Sequence, residues 1–182
     1  MNGPMLSEPE RRAILGFVRA VIAAECGGGC DPEAPDLPLL NAPGACFVTL
    51  REGHDIRGCI GSAEAFEPLA DNLRRNAVNA AFSDPAFPPL ELDELNYVTI
   101  EVALLSSPLR TPPEEVVPGR DGVIIETANG RRALLLPEVA AAQHWDRTEL
   151  LARLANKAGA GEAALRAPGT AIYTFHTERF SE

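Results

Sequence analysis

The sequence predicts an α+β fold with a mostly antiparallel sheet and flanking helices. Its predicted strands are grouped as hairpins, and its helices fall between them without the regular alternation of a parallel α/β protein. A chain of 182 residues can bury one sizeable core, or one domain that carries a smaller lobe. Hydrophobic residues make up 46% and charged residues 23%, which is the composition of a folded globular protein.

The net charge argues against two classes of partner. The formal charge is -10, and Lys157 is the single lysine of the chain. An acidic protein repels phosphate backbones and anionic lipids, so neither nucleic acid nor a membrane surface is expected as a partner.

The first predicted helix follows Ser7. Ser7 and Glu10 have the Ser-x-x-Glu spacing of a capping box at a helix start. The apolar residues that then recur at helical spacing are Ala13, Ile14, Phe17, Val18, Val21 and Ile22. Arg19 interrupts the apolar run, so this segment is predicted to be a core helix and not a signal peptide. No run of about 18 apolar residues predicts a transmembrane helix, and we expect a cytoplasmic protein.

A Gly- and Pro-rich connection leads from this helix to a predicted β-hairpin. Its strands cover 45–51 and 56–62, with the turn at EGHD. A helix is predicted over 68–81, and the prolines of FSDPAFPPL end it. A helical turn at 92–95 precedes a strand over 97–105.

The second half of the chain is also predicted to contain both strands and helices. GVIIETANGRRALLLP predicts a hairpin with Asn129 and Gly130 at its turn. Residues 137–166 are predicted to be helical, with Asp146 and Glu149 at capping spacing and Gly159 as a stop. AIYTFHTERF predicts a single closing strand.

The cysteines predict neither a disulfide framework nor a metal site. Four cysteines (Cys26, Cys30, Cys46 and Cys59) in a cytosolic chain of this length do not imply a disulfide framework. CGGGC supplies at best two of the four ligands that a structural zinc site needs, and the three histidines of the chain are scattered. We therefore expect no metal and no cofactor.

The stretch HDIRGCIGS holds the main candidate site. In a regular strand Arg57 and Cys59 share a face about 7 Å apart, where a guanidinium favours the thiolate. Gly58 and Gly61 leave room for a ligand or another backbone. Alternatively, Cys59 is a small buried apolar residue, and Arg57 anchors a carboxylate such as Glu101.

Further polar residues lie on the following helix and in the segment after it. Asn72, Asn76 and Asn79 form an amide stripe opposite the leucines, which either binds a polar ligand or faces solvent. Asp84 and Phe87 follow among prolines, where Asp84 is open to a simple turn-capping role.

DIRGCIGS, NLRRNAVNAAFSDPAFPPL and ELNYVTIEVALLSSP resemble the AMMECR-one domain family. PGRDGVIIE, ALLLPEVA and WDRTELLARLANKAG extend this resemblance, which covers nearly the whole chain beyond residue 10. The resemblance implies one α+β domain over 1–182, with a larger lobe built from both chain ends and a smaller lobe inserted between them.

The resemblance also implies where the site lies and what it does. The family resembles protein A of a three-component system that also contains a Memo-like protein and a radical-SAM enzyme. This implies protein partners of those two kinds and a small polar ligand near the motif. One hypothesis is a binding module; the alternative is an enzyme with Cys59 as nucleophile and Arg57 lowering its pKa, for which the sequence supplies no assignable base. The residues expected at the site are Arg57, Gly58, Cys59, Ile60, Gly61, Ser62, Asn76, Asp84, Phe87 and Glu101.

Overall fold

Two antiparallel sheets flanked by helices form the fold, so the α+β prediction is confirmed. We analysed a computed structural model that describes residues 6–182. The chain divides into two compact units. The first contains the described residues up to Leu105 together with Glu178–Glu182, and the second is Ser106–Thr177. In the part of the chain that is described, no helix is long and apolar enough to cross a bilayer.

The regular elements follow one another in this order. The first half contains α1 (Glu8–Ala23), α2 (Pro38–Asn41), β1 (Ala45–Glu52), β2 (Asp55–Gly61), α3 (Leu69–Phe82) and β3 (Val98–Leu105). The second half contains β4 (Leu109–Arg110), β5 (Gly122–Glu126), β6 (Arg132–Leu135), α4 (Pro137–Ala142), α5 (Arg147–Lys157), β7 (Ala171–Phe175) and β8 (Thr177–Ser181).

The first sheet has the strand order β2-β1-β3-β8. Strand β1 pairs antiparallel with both β2 and β3, and α3 packs on β1 and β2. Cys46, Val48 and Leu50 alternate along β1 and are buried in the core beneath α1 and α3. The residues between them point to the opposite face of the sheet, because successive side chains of a strand alternate.

Local sequence signals mark the start of α1 and both ends of α5. The Glu10 carboxylate accepts hydrogen bonds from the amide and the hydroxyl of Ser7 (2.7 and 2.6 Å), which confirms the predicted start of α1. Asp146 likewise accepts from the amide of Glu149 (2.9 Å) at the start of α5. Gly159 has φ +65° just beyond α5, as the predicted stop requires.

The second sheet has the order β4-β7-β5-β6, and β5 and β6 form the hairpin predicted around Asn129 and Gly130. Its buried residues Val123, Ile125 and Ile172 pack in one core with Leu150 and Leu154 of α5.

Two predictions for the second half are wrong in detail. The predicted helix over 137–166 is interrupted, because His144 has φ +53° and Asp146 caps a new helix. The predicted closing strand is two strands, because the chain leaves the second sheet after Phe175 and enters the first at Thr177.

Candidate functional site

A β-bulge in β2 shapes the candidate site. Arg51 pairs with Ile56, whereas its neighbour Leu50 pairs with Gly58, so Arg57 is an extra residue without a partner in β1. A shift of one residue moves every later side chain of a strand to the other face of the sheet. The bulge therefore decides which residues of the motif face the core.

The bulge brings Cys59 opposite Thr49. The thiol sulfur lies 3.2 Å from the Thr49 hydroxyl, within hydrogen-bonding distance. In an unbroken hairpin, continued from the pairing at the turn, Cys59 would instead lie opposite Val48 and face the core. The extra residue thus places the thiol on the face that does not carry α3.

We call this surface the polar face, defined by Thr49, Cys59, Glu101, Arg51 and Arg179. Thr49 pairs with Cys59 on one side and with Glu101 on the other, so a thiol, a hydroxyl and a carboxylate lie in one row across three strands. Arg51 Nε is 3.7 Å from Glu101 Oε2, and Arg179 Nη1 is 3.4 Å from Glu101 Oε1. The Glu101 side chain is only 15% exposed, so these charges interact in a partly desolvated setting.

The Arg57 guanidinium makes a bidentate ion pair with Glu94. Its Nε and Nη2 each lie 3.0 Å from a carboxylate oxygen, and it also donates to the carbonyls of Pro88 (2.9 Å) and Pro89 (3.4 Å). This guanidinium lowers the pKa of Glu94 below its ordinary value. The expectation that Arg57 anchors Glu101 is wrong: its carboxylate partner is Glu94.

Asp84 lies beside Cys59, but it binds the backbone and not the sulfur. Its Oδ2 accepts from the Cys59 amide (2.8 Å), and its Oδ1 accepts from the Ala86 amide (2.9 Å). Strand β2 is at the sheet edge, where an unpaired N–H needs an acceptor. Asp84 and the Arg57 contacts therefore attach residues 84–94, including the half-buried Phe87, to that edge.

Both glycines of the motif are explained by packing. A Cβ at Gly58 would lie well inside van der Waals distance of the Ala80 carbonyl oxygen in α3, and one at Gly61 would overlap the Phe47 ring. Each glycine lets another part of the chain approach the strand closely.

The remaining predicted residues of the motif also make contacts within the chain. Ile60 packs against the core. The Ser62 hydroxyl hydrogen-bonds the backbone of Glu64 (3.1 Å).

The amide stripe of α3 lies in the core. Asn72 and Asn76 are fully buried, so the solvent-facing interpretation is wrong for both. Asn72 Oδ1 accepts from the Cys46 amide and from Asn76 Nδ2 (both 3.0 Å), and Asn76 Nδ2 donates to the Cys46 carbonyl (3.1 Å). Burial raises the pKa of the Cys46 thiol to about 12. The structure does not bring Asn76 together with Cys59, because the two lie on opposite faces of the sheet.

Cys59, Asp84 and Glu101 were predicted to be near one another, and they are. The sequence did not identify Thr49 as the partner of the thiol or Glu94 as the partner of Arg57. The register of the hairpin identifies Thr49 only when the bulge is known. Within residues 6–182, no three His, Cys, Asp or Glu side chains are grouped so as to hold a metal ion.

Comparison with known proteins places this chain in a family. A family model for AMMECR1 matches residues 15–180. A protein of Methanothermobacter thermautotrophicus is 36% identical, over 97% of this chain and 96% of that protein. A protein of Methanocaldococcus jannaschii is 39% identical, over 98% of this chain and 92% of that protein. The crystal structure of an uncharacterised protein from Pyrococcus horikoshii is 32% identical with a TM-score of 0.83, covering 97% of this chain and 93% of that one. The chain therefore belongs to the AMMECR1 family.

Proposed function

We propose that this protein is a non-catalytic, cytoplasmic binding component of a three-part system with a Memo-like protein and a radical-SAM enzyme. Its polar face is the proposed binding surface, for a protein partner or a small polar ligand. The observation that carries the proposal is the bidentate Arg57–Glu94 ion pair.

A cysteine nucleophile needs a neighbouring cation or base that favours its thiolate. The Arg57 charge is bound by Glu94, and its remaining hydrogen bonds go to prolyl carbonyls. The polar partner of the Cys59 sulfur is the Thr49 hydroxyl, which is not a base near neutral pH. This arrangement supports a motif that shapes the sheet edge more than one that activates a thiol.

The polar face has the groups that a binding surface needs. Its guanidinium and hydroxyl groups donate hydrogen bonds, and the Glu101 carboxylate accepts them. Arg51 and Arg179 are each about one-third exposed, at 30% and 34%, and so are within reach of a bound anion. The four free thiols fit a reducing compartment such as the cytosol.

The alternative is an enzyme in which Cys59 is an activated nucleophile with Arg57 as its cationic partner. Two observations favour it: Cys59 is only partly buried, and its sulfur lies within hydrogen-bonding distance of the Thr49 hydroxyl.

Reconstitution of the three proteins tests the proposal. We expect Cys59→Ala to retain system activity, because the proposal gives the thiol no chemical role, whereas Glu101→Gln weakens partner binding because the carboxylate no longer holds the Arg51 and Arg179 guanidiniums in place. Cys30→Ala, at an exposed cysteine elsewhere in the chain, is the matched control.

Loss of all system activity in folded Cys59→Ala and Cys59→Ser, with partner binding retained, would overturn the proposal and establish the enzyme. Thermal melting of each variant separates these outcomes from misfolding.

A further inference from the structure

The second unit contains a cavity of about 400 Å³ that is separate from the polar face. The residues that line it include Arg110, Thr111, Pro112, Leu165, Thr170 and Ile172. Small-molecule sites in proteins are typically about 300–1,000 Å³ and mostly apolar, with a few polar groups that fix the ligand. This cavity has that size and that composition.

The cavity walls are held by hydrogen bonds within the second sheet. The Thr111 amide donates to the Ile172 carbonyl (2.9 Å), and the hydroxyls of Thr111 and Thr174 are 2.7 Å apart. Pro112 follows Thr111 in the sequence, and its ring fixes its backbone φ angle. The cavity is therefore preformed, and a ligand would not have to order it.

Arg110 is the unusual member of this lining. The chain has 26 acidic and 16 basic residues, and its arginines generally bind carboxylates or carbonyls. Across residues 6–182, only the guanidiniums of Arg110 and Arg166 make no hydrogen bond or ion pair. Arg166 follows the lining residue Leu165, but it does not itself line the cavity.

We propose that this cavity binds a small organic anion that carries a carboxylate on an apolar body. The planar guanidinium of Arg110 pairs with the carboxylate in a bidentate manner, and the Thr170 hydroxyl is available as a further donor. Leu165, Ile172 and Pro112 contact the apolar body. This inference does not rest on the proposed function of the polar face.

Titration of the full ¹⁵N-labelled chain with benzoate tests the proposal by NMR. We expect saturable shifts of the Thr111, Thr170 and Ile172 amides. We also expect a dissociation constant about tenfold higher in Arg110→Gln, which corresponds to about 1.4 kcal/mol for the lost charged hydrogen bond. Arg166→Gln is the matched control, because Arg166 is also exposed and unpaired but lies outside the lining. We expect it to change the dissociation constant by less than about twofold, as for other surface charges.

Benzyl alcohol provides the neutral comparison, and it is expected to bind more weakly than benzoate and with no dependence on Arg110. Three results would overturn the proposal: no saturable shift at the lining residues, equal binding of benzyl alcohol and benzoate, or equal weakening by Arg110→Gln and Arg166→Gln.

Discussion

Cys46 and Cys59 lie on neighbouring strands of one sheet, yet their surroundings are opposite. Cys46 faces the core, where two buried asparagines bind its backbone and burial raises the pKa of its thiol to about 12. Cys59 is half-buried on the polar face, beside the Thr49 hydroxyl. A single extra residue, Arg57, therefore decides the surroundings of a cysteine by shifting the register of β2.

Gly58→Ala tests this register and has the largest expected effect. With the bulge, Gly58 faces α3, and a methyl group there would overlap the Ala80 carbonyl oxygen. We expect a loss of about 3 kcal/mol in the free energy of unfolding, measured in urea, because buried backbone has to move. In an unbroken hairpin Gly58 would lie on the polar face opposite Thr49, and alanine would be tolerated.

Gly16→Ala is the control for that measurement. Gly16 is exposed in α1 with nothing near its Cβ position, so alanine is expected to stabilise the protein by about 0.5–1 kcal/mol. A Gly58→Ala protein as stable as the wild type would contradict the register described above.

Asn72→Ala tests the Cys46 side of the comparison. It removes the acceptor for the Cys46 amide and for Asn76 Nδ2, both of which are buried. We expect a loss of about 2–3 kcal/mol in the free energy of unfolding, because the buried Cys46 amide is left without a partner and Asn76 Nδ2 loses one of its two oxygen acceptors. Asn79→Ala, at a half-buried position of the same helix, is expected to cost less than about 0.5 kcal/mol. Equal effects of the two substitutions would show that the buried amides do not hold β1 to α3.

Glu94→Gln tests the ion pair of the bulge residue and has a smaller effect. The pKa of Glu94 in the folded protein lies below its ordinary value of 4.5, so the ionised pair stabilises the fold above that pH. This contribution is lost as the pH falls through the folded-state pKa. We expect it to be below about 1 kcal/mol at pH 7, because the Glu94 side chain is 35% exposed and solvent screens the pair.

The measurement is the difference in unfolding free energy between wild type and variant as a function of pH. This difference is expected to shrink as the pH falls below 4.5. Glu91→Gln, at an exposed carboxylate nearby, is the matched control for the loss of one surface charge. An unfolding free energy difference between wild type and Glu94→Gln that increases as the pH falls below 4.5 would contradict a stabilising ion pair.

Local sequence signals predicted most of the secondary structure because they act over a few residues. The Ser7–Glu10 and Asp146–Glu149 spacings and the Asn129–Gly130 turn each fix an element boundary through contacts between close neighbours. The two final strands were predicted as one, because a change of sheet depends on which distant strands are available for pairing.

The site was less predictable because its geometry depends on tertiary contacts. Alternation along β2 assumes an unbroken ladder, and nothing local in HDIRGCIGS indicates that Arg57 is an extra residue. Glu94 is distant from Arg57 in sequence and belongs to the segment that covers the edge of β2. The burial of Asn72 and Asn76 follows from backbone groups of β1 that need partners, which helical spacing alone does not show.

Alkylation of native protein with iodoacetamide at pH 7, followed for each cysteine by mass spectrometry, tests the central claim most directly. The claim is that Arg57 holds residues 84–94 to the strand edge and does not activate Cys59. We therefore expect Cys59 to react in the folded protein while Cys46 does not, and to react no more slowly in folded Arg57→Gln than in the wild type. A fall of roughly tenfold in the Cys59 rate on loss of the guanidinium would contradict the account, since it would show that Arg57 favours the thiolate.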